Sequence, residues 1–93
     1  MILCLDVGNT QVYGGVFNEG ILITQFRRTS QLQSSSDELG VFFRSVLREN
    51  GVDPSTIREI VICCVVPDLL YSLRACAQKY FEIEPVVLRM TMM

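Results

Sequence analysis

Residues 5 to 17 read LDVGNTQVYGGVF, with an aspartate closing an apolar run and glycine, asparagine and threonine following within four positions. A carboxylate at the C-terminal end of a strand stands where open α/β sheets place their ligand crevices. There Asp6 can hold Mg²⁺, directly or through water, because hard divalent cations take oxygen ligands and keep several waters. Gly8 lets the backbone turn closely beneath a bulky anion. Asn9 and Thr10 add an amide and a hydroxyl, and the amides of such a turn can cradle phosphate oxygens. The segment lacks the lysine of a P-loop and the glycine spacing of a dinucleotide-binding turn. On the residues alone two readings stay open: a phosphate and metal site, or a turn that only joins two strands.

The elements that must position these groups come from a chain of 93 residues, long enough for one domain with a single core. Apolar residues make up 49% and charged ones 19%, which argues for a folded module rather than a disordered tail. Eight basic against ten acidic residues leave a net charge of −2, so no basic field is available to hold nucleic acid or an anionic membrane. The four cysteines show no CxxC spacing. Cys63 and Cys64 are adjacent and point to opposite faces of any strand, so buried, reduced thiols are expected rather than a zinc site. The N-terminus lacks the parts of a signal peptide, and no apolar run approaches the roughly 20 residues that span a bilayer. A cytoplasmic protein is therefore expected.

Ile2 to Leu5 reads as a buried strand, VYGGVF as a second, and ILITQF from 21 to 26 as a third, joined by links too short for crossover helices. Gly20 supplies the positive φ of the second link. Gly14 and Gly15 mark either a bulge or a close approach of other backbone or of a ligand. The polar stretch TSQLQSSS leads into a helix start, where Ser35 and Glu38 form a capping-box pattern and Asp37 adds a charge that suits the first turn. Leu39, Phe42, Phe43, Val46 and Leu47 make one apolar face, and Asn50-Gly51 ends it. Only one of the adjacent Phe42 and Phe43 can point squarely at a sheet; the other is left for a dimer partner or a further domain, as is the apolar tail MTMM. A fourth strand runs from about Glu59 to Val65, apolar enough to be central and covered on both faces. Pro67 ends it, Asp68 begins a second helix with Leu69, Leu70, Leu73, Ala77 and Tyr80 as its buried stripe, and EPVVL makes a fifth strand. The locally basic Phe26-Arg27-Arg28 reads as a strand end, with Arg27 solvated, touching a ligand, or paired with Asp37 or Glu38. Tyr13, Phe17 and Phe26 read as core or sheet-face residues rather than a base-stacking platform. The fold class expected is α/β, a mixed five-stranded sheet with elements in the order β-β-β-α-β-α-β.

The segment LDVGNTQVYGGVF resembles the first phosphate-binding motif of the actin, sugar-kinase and heat-shock ATPase superfamily, a ribonuclease H-like fold, and more narrowly that of the type III pantothenate kinases. The resemblance continues through Phe26-Arg27, the acidic pair Asp37-Glu38, the turn Val65-Val66-Pro67, Lys79-Tyr80-Phe81 and Glu84-Pro85. Gln11, Gly14, Arg28 and Cys64 depart from the usual pattern, but neither Asp6 nor Thr10 does. The resemblance implies a cofactor-binding segment of Asp6, Val7, Gly8, Asn9, Thr10, Gln11, Val12 and Tyr13. Within it Asp6 is the catalytic and metal-binding residue, while Gly8, Asn9 and Thr10 contact ATP phosphates.

The function so implied is ATP-dependent phosphorylation of pantothenate, the first step toward coenzyme A, with Mg²⁺ and a monovalent cation, potassium or ammonium, in a homodimer. Nucleic acid and membrane are not expected partners. Residues 1–93 correspond to an N-terminal lobe truncated before a second. The glycine-rich segment, the aspartate base and the cation-binding aspartate of the family fall beyond residue 93, so the lobe alone is expected to be inactive. The alternative is a non-catalytic nucleotide-binding regulatory or accessory protein of the same fold.

Overall fold

The computed structural model describes residues 1–31 and 33–89. Strands β1 (Ile2–Val7), β2 (Gln11–Asn18) and β3 (Ile21–Thr29) are followed by helix α1 (Ser36–Glu49), strand β4 (Glu59–Cys64), helix α2 (Pro67–Phe81) and strand β5 (Val86–Arg89). One sheet contains all five strands in the order β3-β2-β1-β4-β5. β1 runs antiparallel to β2 and parallel to β4, and β5 is parallel to β4. The expected fold class and element order hold. The tail MTMM lies outside the described residues.

Alternation decides which face of the sheet is core. Leu3, Leu5 and Val7 of β1 are buried, as are Val12 and Val16 of β2 and Ile60, Ile62 and Cys64 of β4. They pack with Leu39, Phe43 and Leu47 of α1 and Leu69, Leu73, Cys76 and Ala77 of α2. Each such aliphatic or aromatic side chain contributes about 1.5–3 kcal/mol relative to exposure, so this layer dominates the stability. The other face carries Ile2, Cys4 and Asp6 of β1, which are exposed or half-buried, with Val61 and Cys63 of β4 half-buried beside them. β4 lies inside the sheet, between β1 and β5, but among the described residues it is covered on one face only. Its apolar run concealed a strand whose two faces differ in cover rather than in polarity. No helix of the described residues is long and apolar enough to cross a membrane.

Local signals account for most boundaries. Ser35 Oγ accepts from the Glu38 amide and Glu38 Oε1 accepts from the Ser35 amide, each at 3.0 Å, which is the expected capping box. The β2–β3 link is a two-residue turn with both Glu19 (φ 52°) and Gly20 (φ 81°) left-handed. This pair matches the twist of a hairpin at some cost at the glutamate. β3 runs to Thr29, three residues beyond the expectation, because β2 pairs with it along its whole length. β4 stops at Cys64. Pro67, expected to end that strand before a helix starting at Asp68, is itself the first residue of α2, where a missing N–H costs nothing. α2 closes at Glu82 (φ 56°), with the Ile83 amide donating to the Ala77 carbonyl at 3.1 Å.

One of the paired glycines is explained by packing. Gly14 faces the helices and lies opposite Phe26, and a Cβ there would overlap the Phe26 ring. A close approach, not a bulge, is therefore the reason for that glycine. The register shift lies one step further on, between Val16 and Phe17, where β3 carries the extra residue. Phe43 is the phenylalanine turned fully inward, at 1% exposure, while Phe42 packs edge-on to Phe26 at 6.0 Å beneath the Arg28 guanidinium. Gly14→Ala should destabilise the fold by roughly 1–3 kcal/mol, the cost of overpacking a closed core. Adding Phe26→Leu should recover part of that loss in urea unfolding; strictly additive costs would contradict the contact.

Helices α1 and α2 meet at a polar clasp. Asp37 Oδ1 accepts from Lys79 Nζ at 2.8 Å and from the Tyr80 hydroxyl at 2.7 Å, and Arg44 Nη1 donates to the Tyr80 carbonyl at 3.0 Å. Tyr80 is half-buried, and its ring fills the space a Cβ at Gly40 would need. The bonds from Lys79 and then Tyr80 hold the Asp37 carboxyl below its ordinary pKa of 3.8. The bond to Asp37 raises Lys79 above 10.5 and Tyr80 above 10.0. A depressed carboxyl stabilises the fold above its unfolded pKa and loses that effect as pH falls through the folded value; a raised lysine or tyrosine loses its effect as pH rises through the folded value. The urea midpoint of the natural chain should therefore exceed that of Asp37→Asn between roughly pH 5 and 9. The gap should close at both extremes, and a gap independent of pH would refute the clasp.

Candidate functional site at the end of β1

The β1–β2 turn is held from two sides. The Gly8 amide donates to the Gln11 carbonyl at 2.9 Å, and Ser30, just past the end of β3, donates its amide to the Thr10 carbonyl at 2.9 Å and its hydroxyl to the Gly8 carbonyl at 2.8 Å. On the far side the Val65 amide donates to the Val7 carbonyl at 3.2 Å. Ser30 was not foreseen, although the register alone would have found it: Gln11 pairs with Thr29, which brings residue 30 beside residue 10.

The turn orients the expected site residues in two directions. Asp6 is exposed on the uncovered face, directly between Tyr13 of β2 and Cys63 of β4. Asn9, Thr10 and Gln11 are exposed, and Gly8 is half-buried. Among the described residues no side chain hydrogen-bonds to Asp6, Asn9 or Thr10, so their polar groups face solvent. Val7 and Val12 are turned the other way, at 0% and 2% exposure, into the core beneath the helices. Only their backbone is available to a ligand. A Cβ at Gly8 would meet the Gln11 carbonyl oxygen at 3.4 Å, an ordinary contact, and its φ is not left-handed. The chain's own packing does not require glycine there.

Asp6 also borders a shallow concavity of about 390 Å³ on the uncovered face, whose apolar floor includes Cys4, Phe17, Val61 and Cys63 and whose polar end includes Tyr13 and Gln25. Tyr13 donates its hydroxyl to Gln25 Oε1 at 2.5 Å. Arg27 lies over the Tyr13 ring, its Cζ 4.9 Å from the centroid. It does not pair with Asp37 or Glu38, because it projects from the uncovered face while those residues begin α1 on the other side of the sheet. Arg27 and Arg28 point to opposite faces, so FRR is alternating strand rather than a frayed end.

All four cysteines are free thiols. Cys64 and Cys76 are buried as expected, but Cys4 and Cys63 are only half-buried, since they face the uncovered side. Burial first, and the neighbouring Cys63 second, raise the Cys4 thiol above 9.0, while burial alone pushes Cys76 up to about 12. Neither presents a thiolate near neutral pH. No group of three or more potential metal ligands occurs among the described residues. For a hard cation the strand end offers one exposed carboxylate without a protein partner, which suits an ion that keeps its waters and takes further oxygens from a ligand.

A mixed sheet in this order, with both crossover helices on one face, is that of the actin-like and sugar-kinase fold. A ROK hexokinase from Thermus thermophilus matches it with a TM-score of 0.69 at 16% identity, over 95% of this chain and 34% of that one, a likeness of fold alone. The family model for type III pantothenate kinase matches residues 2–93, and the chain belongs to that family. It is 56% identical over 89 residues to the type III pantothenate kinase of Legionella pneumophila (strain Corby), covering 96% of this chain and 34% of that protein. It is 50% identical over 88 residues to that of Elusimicrobium minutum (strain Pei191), covering 95% and 34%. The chain thus spans about a third of the length of these relatives.

The Ser30 hydroxyl bond isolates the turn's rigidity from its chemistry. In Ser30→Ala the Gly8 amide should exchange with solvent roughly five- to tenfold faster, equivalent to about 1 kcal/mol of lost local protection. Amides of α1 should be unchanged. Unaltered exchange at Gly8 would show that the turn is held without Ser30.

Proposed function

We propose that the protein containing this lobe transfers the terminal phosphoryl group of ATP to pantothenate, and that residues 1–93 are its N-terminal nucleotide-binding lobe. The observation that carries this reading is Asp6, an exposed carboxylate at the end of the central strand, with no protein partner among the described residues and beside a turn whose polar side chains are also free. Family membership supports the choice of donor and acceptor. Phosphoryl transfer asks a protein chiefly to hold donor and acceptor in line and to neutralise moving charge. In this division of labour Asp6 would hold Mg²⁺, whose preference is for oxygen ligands. When bound there, the ion would supply positive charge to offset that of the phosphates.

Asn9 and Thr10 donate from side chains to the phosphates, and Gly8 keeps the approach clear of a Cβ, a reading supported by the absence of any internal need for glycine there. Val7 and Val12 fix the turn from the core side, and Gln11 and Tyr13 flank it. In this reading the base for the pantothenate hydroxyl and the potassium or ammonium site are supplied by the remainder of the protein. The isolated lobe then binds nucleotide weakly and turns nothing over.

Pantothenate-dependent ADP formation by the full-length protein, measured with potassium or ammonium present and absent, tests the assignment. Asp6→Asn should lower kcat by about 100-fold or more while leaving the urea midpoint near that of the natural protein, because the carboxylate is exposed and unpaired. The 93-residue chain should give no ADP above the no-enzyme rate. Full activity in Asp6→Asn would overturn the role of Asp6, and turnover by the lobe alone would overturn the division of labour.

A further inference from the structure

On the uncovered face, Asp6 pairs in register with Tyr13 and Tyr13 with Arg27, so the three stand in one row across β1, β2 and β3. Neighbouring strands are about 4.8 Å apart, which sets Asp6 and Arg27 roughly 10 Å from each other along the row. Neither makes an ion pair among the described residues, and they do not pair with one another. The guanidinium instead rests on the Tyr13 ring at 4.9 Å, and that ring is anchored by its hydroxyl bond to Gln25. An arginine seated on an aromatic face is pre-organised: its planar fork stays charged, keeps its donors and loses less side-chain entropy when it binds. Asp37 and Glu38, in the first turn of α1, lie on the helix side of the sheet, whereas Arg27 projects from the uncovered face, so neither carboxylate is placed to take its charge.

We infer that Arg27, held on Tyr13, is an oxyanion-binding residue on the substrate side of the Asp6 site, taking a phosphate or carboxylate group of a ligand whose other end lies at Asp6. The assignment rests on the kinase reading above. It adds a cation that neutralises the ligand's charge from the side opposite the metal-binding carboxylate. Paired N–H donors of a guanidinium fit both oxyanions, so the shared chemistry leaves two sources, the ATP phosphates and the pantothenate carboxylate.

Steady-state kinetics of the full-length protein with Arg27→Ala, Arg27→Lys and Tyr13→Leu separates the sources and tests the role. Arg27→Ala should raise the KM of one substrate about tenfold or more and leave the other within about twofold: ATP if the group bound is phosphate, pantothenate if it is carboxylate. Arg27→Lys should recover only part of the loss, Tyr13→Leu should move the same KM in the same direction, and guanidinium ion below denaturing concentrations should partly rescue Arg27→Ala. A purely structural arginine would give no rescue and a lowered urea midpoint. Unchanged KM values for both substrates, or changes that follow the urea midpoint without rescue, would overturn the inference. If the natural protein phosphorylates no pantothenate, the kinase reading itself fails. Equilibrium binding of magnesium-ATP and of pantothenate to the natural and Arg27→Ala proteins still decides the arginine: equal affinities for both ligands refute it.

Discussion

The handedness of two crossovers governs the rest of this fold. β3 is parallel to β4, since two antiparallel steps separate it from β1, and β4 is parallel to β5. In the order β3-β2-β1-β4-β5 both connections, β3 to β4 and β4 to β5, move across the sheet in the same direction. Right-handed crossovers in the same direction place their helices on the same face. α1 and α2 accordingly lie side by side over Leu3, Leu5, Val7, Ile60 and Ile62. Every even-numbered residue of β1, Asp6 included, is left on the opposite face, so the position of the carboxylate follows from topology and strand parity together.

Packing, rather than charge, keeps that arrangement rigid. Fully buried aliphatic and aromatic side chains contribute about 1.5–3 kcal/mol each, whereas exposed ion pairs usually contribute at most about 1 kcal/mol. The Arg74–Glu84 and Lys79–Asp37 pairs are both largely exposed, with side-chain exposures of 45%/62% and 63%/58%. Their effect is to set alignment, not bulk stability. The Asp37 clasp matters because it coincides with a close approach, the Tyr80 ring against Gly40, where the two helices have little latitude to slide. Close approach recurs at Gly14 and Phe26, which fixes β2 against β3 and so fixes where Ser30 meets the β1–β2 turn.

The architecture was legible because its signals are local: strand-length apolar runs, a capping box at Ser35, Asn50-Gly51 after α1 and short links between the first three strands. What escaped notice depends on partners distant in sequence. Gly40 looks like a weak point in α1 until Tyr80, forty residues later, is placed against it. Ser30 was one serine in a polar stretch until the hairpin register brought it to residues 8 and 10. β4 misled for a different reason. An apolar run records that both faces tolerate apolar residues, and it cannot say which face is covered by the chain at hand. Within the site segment, period-two alternation already separates Val7 and Val12 from Asp6 and Tyr13. A motif read as a continuous run hides that separation, since half of its residues serve the core.

The same alternation explains how the row Cys63–Asp6–Tyr13–Arg27 keeps its charges unspent. Asp6 and Arg27 on directly adjacent strands would face each other closely enough to pair, and opposite charges in that position attract. Inserting β2 between them puts Tyr13 in the gap, and its ring engages the guanidinium while its hydroxyl is bound by Gln25. Both charges remain in water, where an unpaired ion incurs little desolvation cost, so the fold tolerates them. A ligand that enters from the uncovered face then meets a carboxylate and a guanidinium that are already separated, oriented and free of each other. That separation comes from strand order, not from any contact between the two residues.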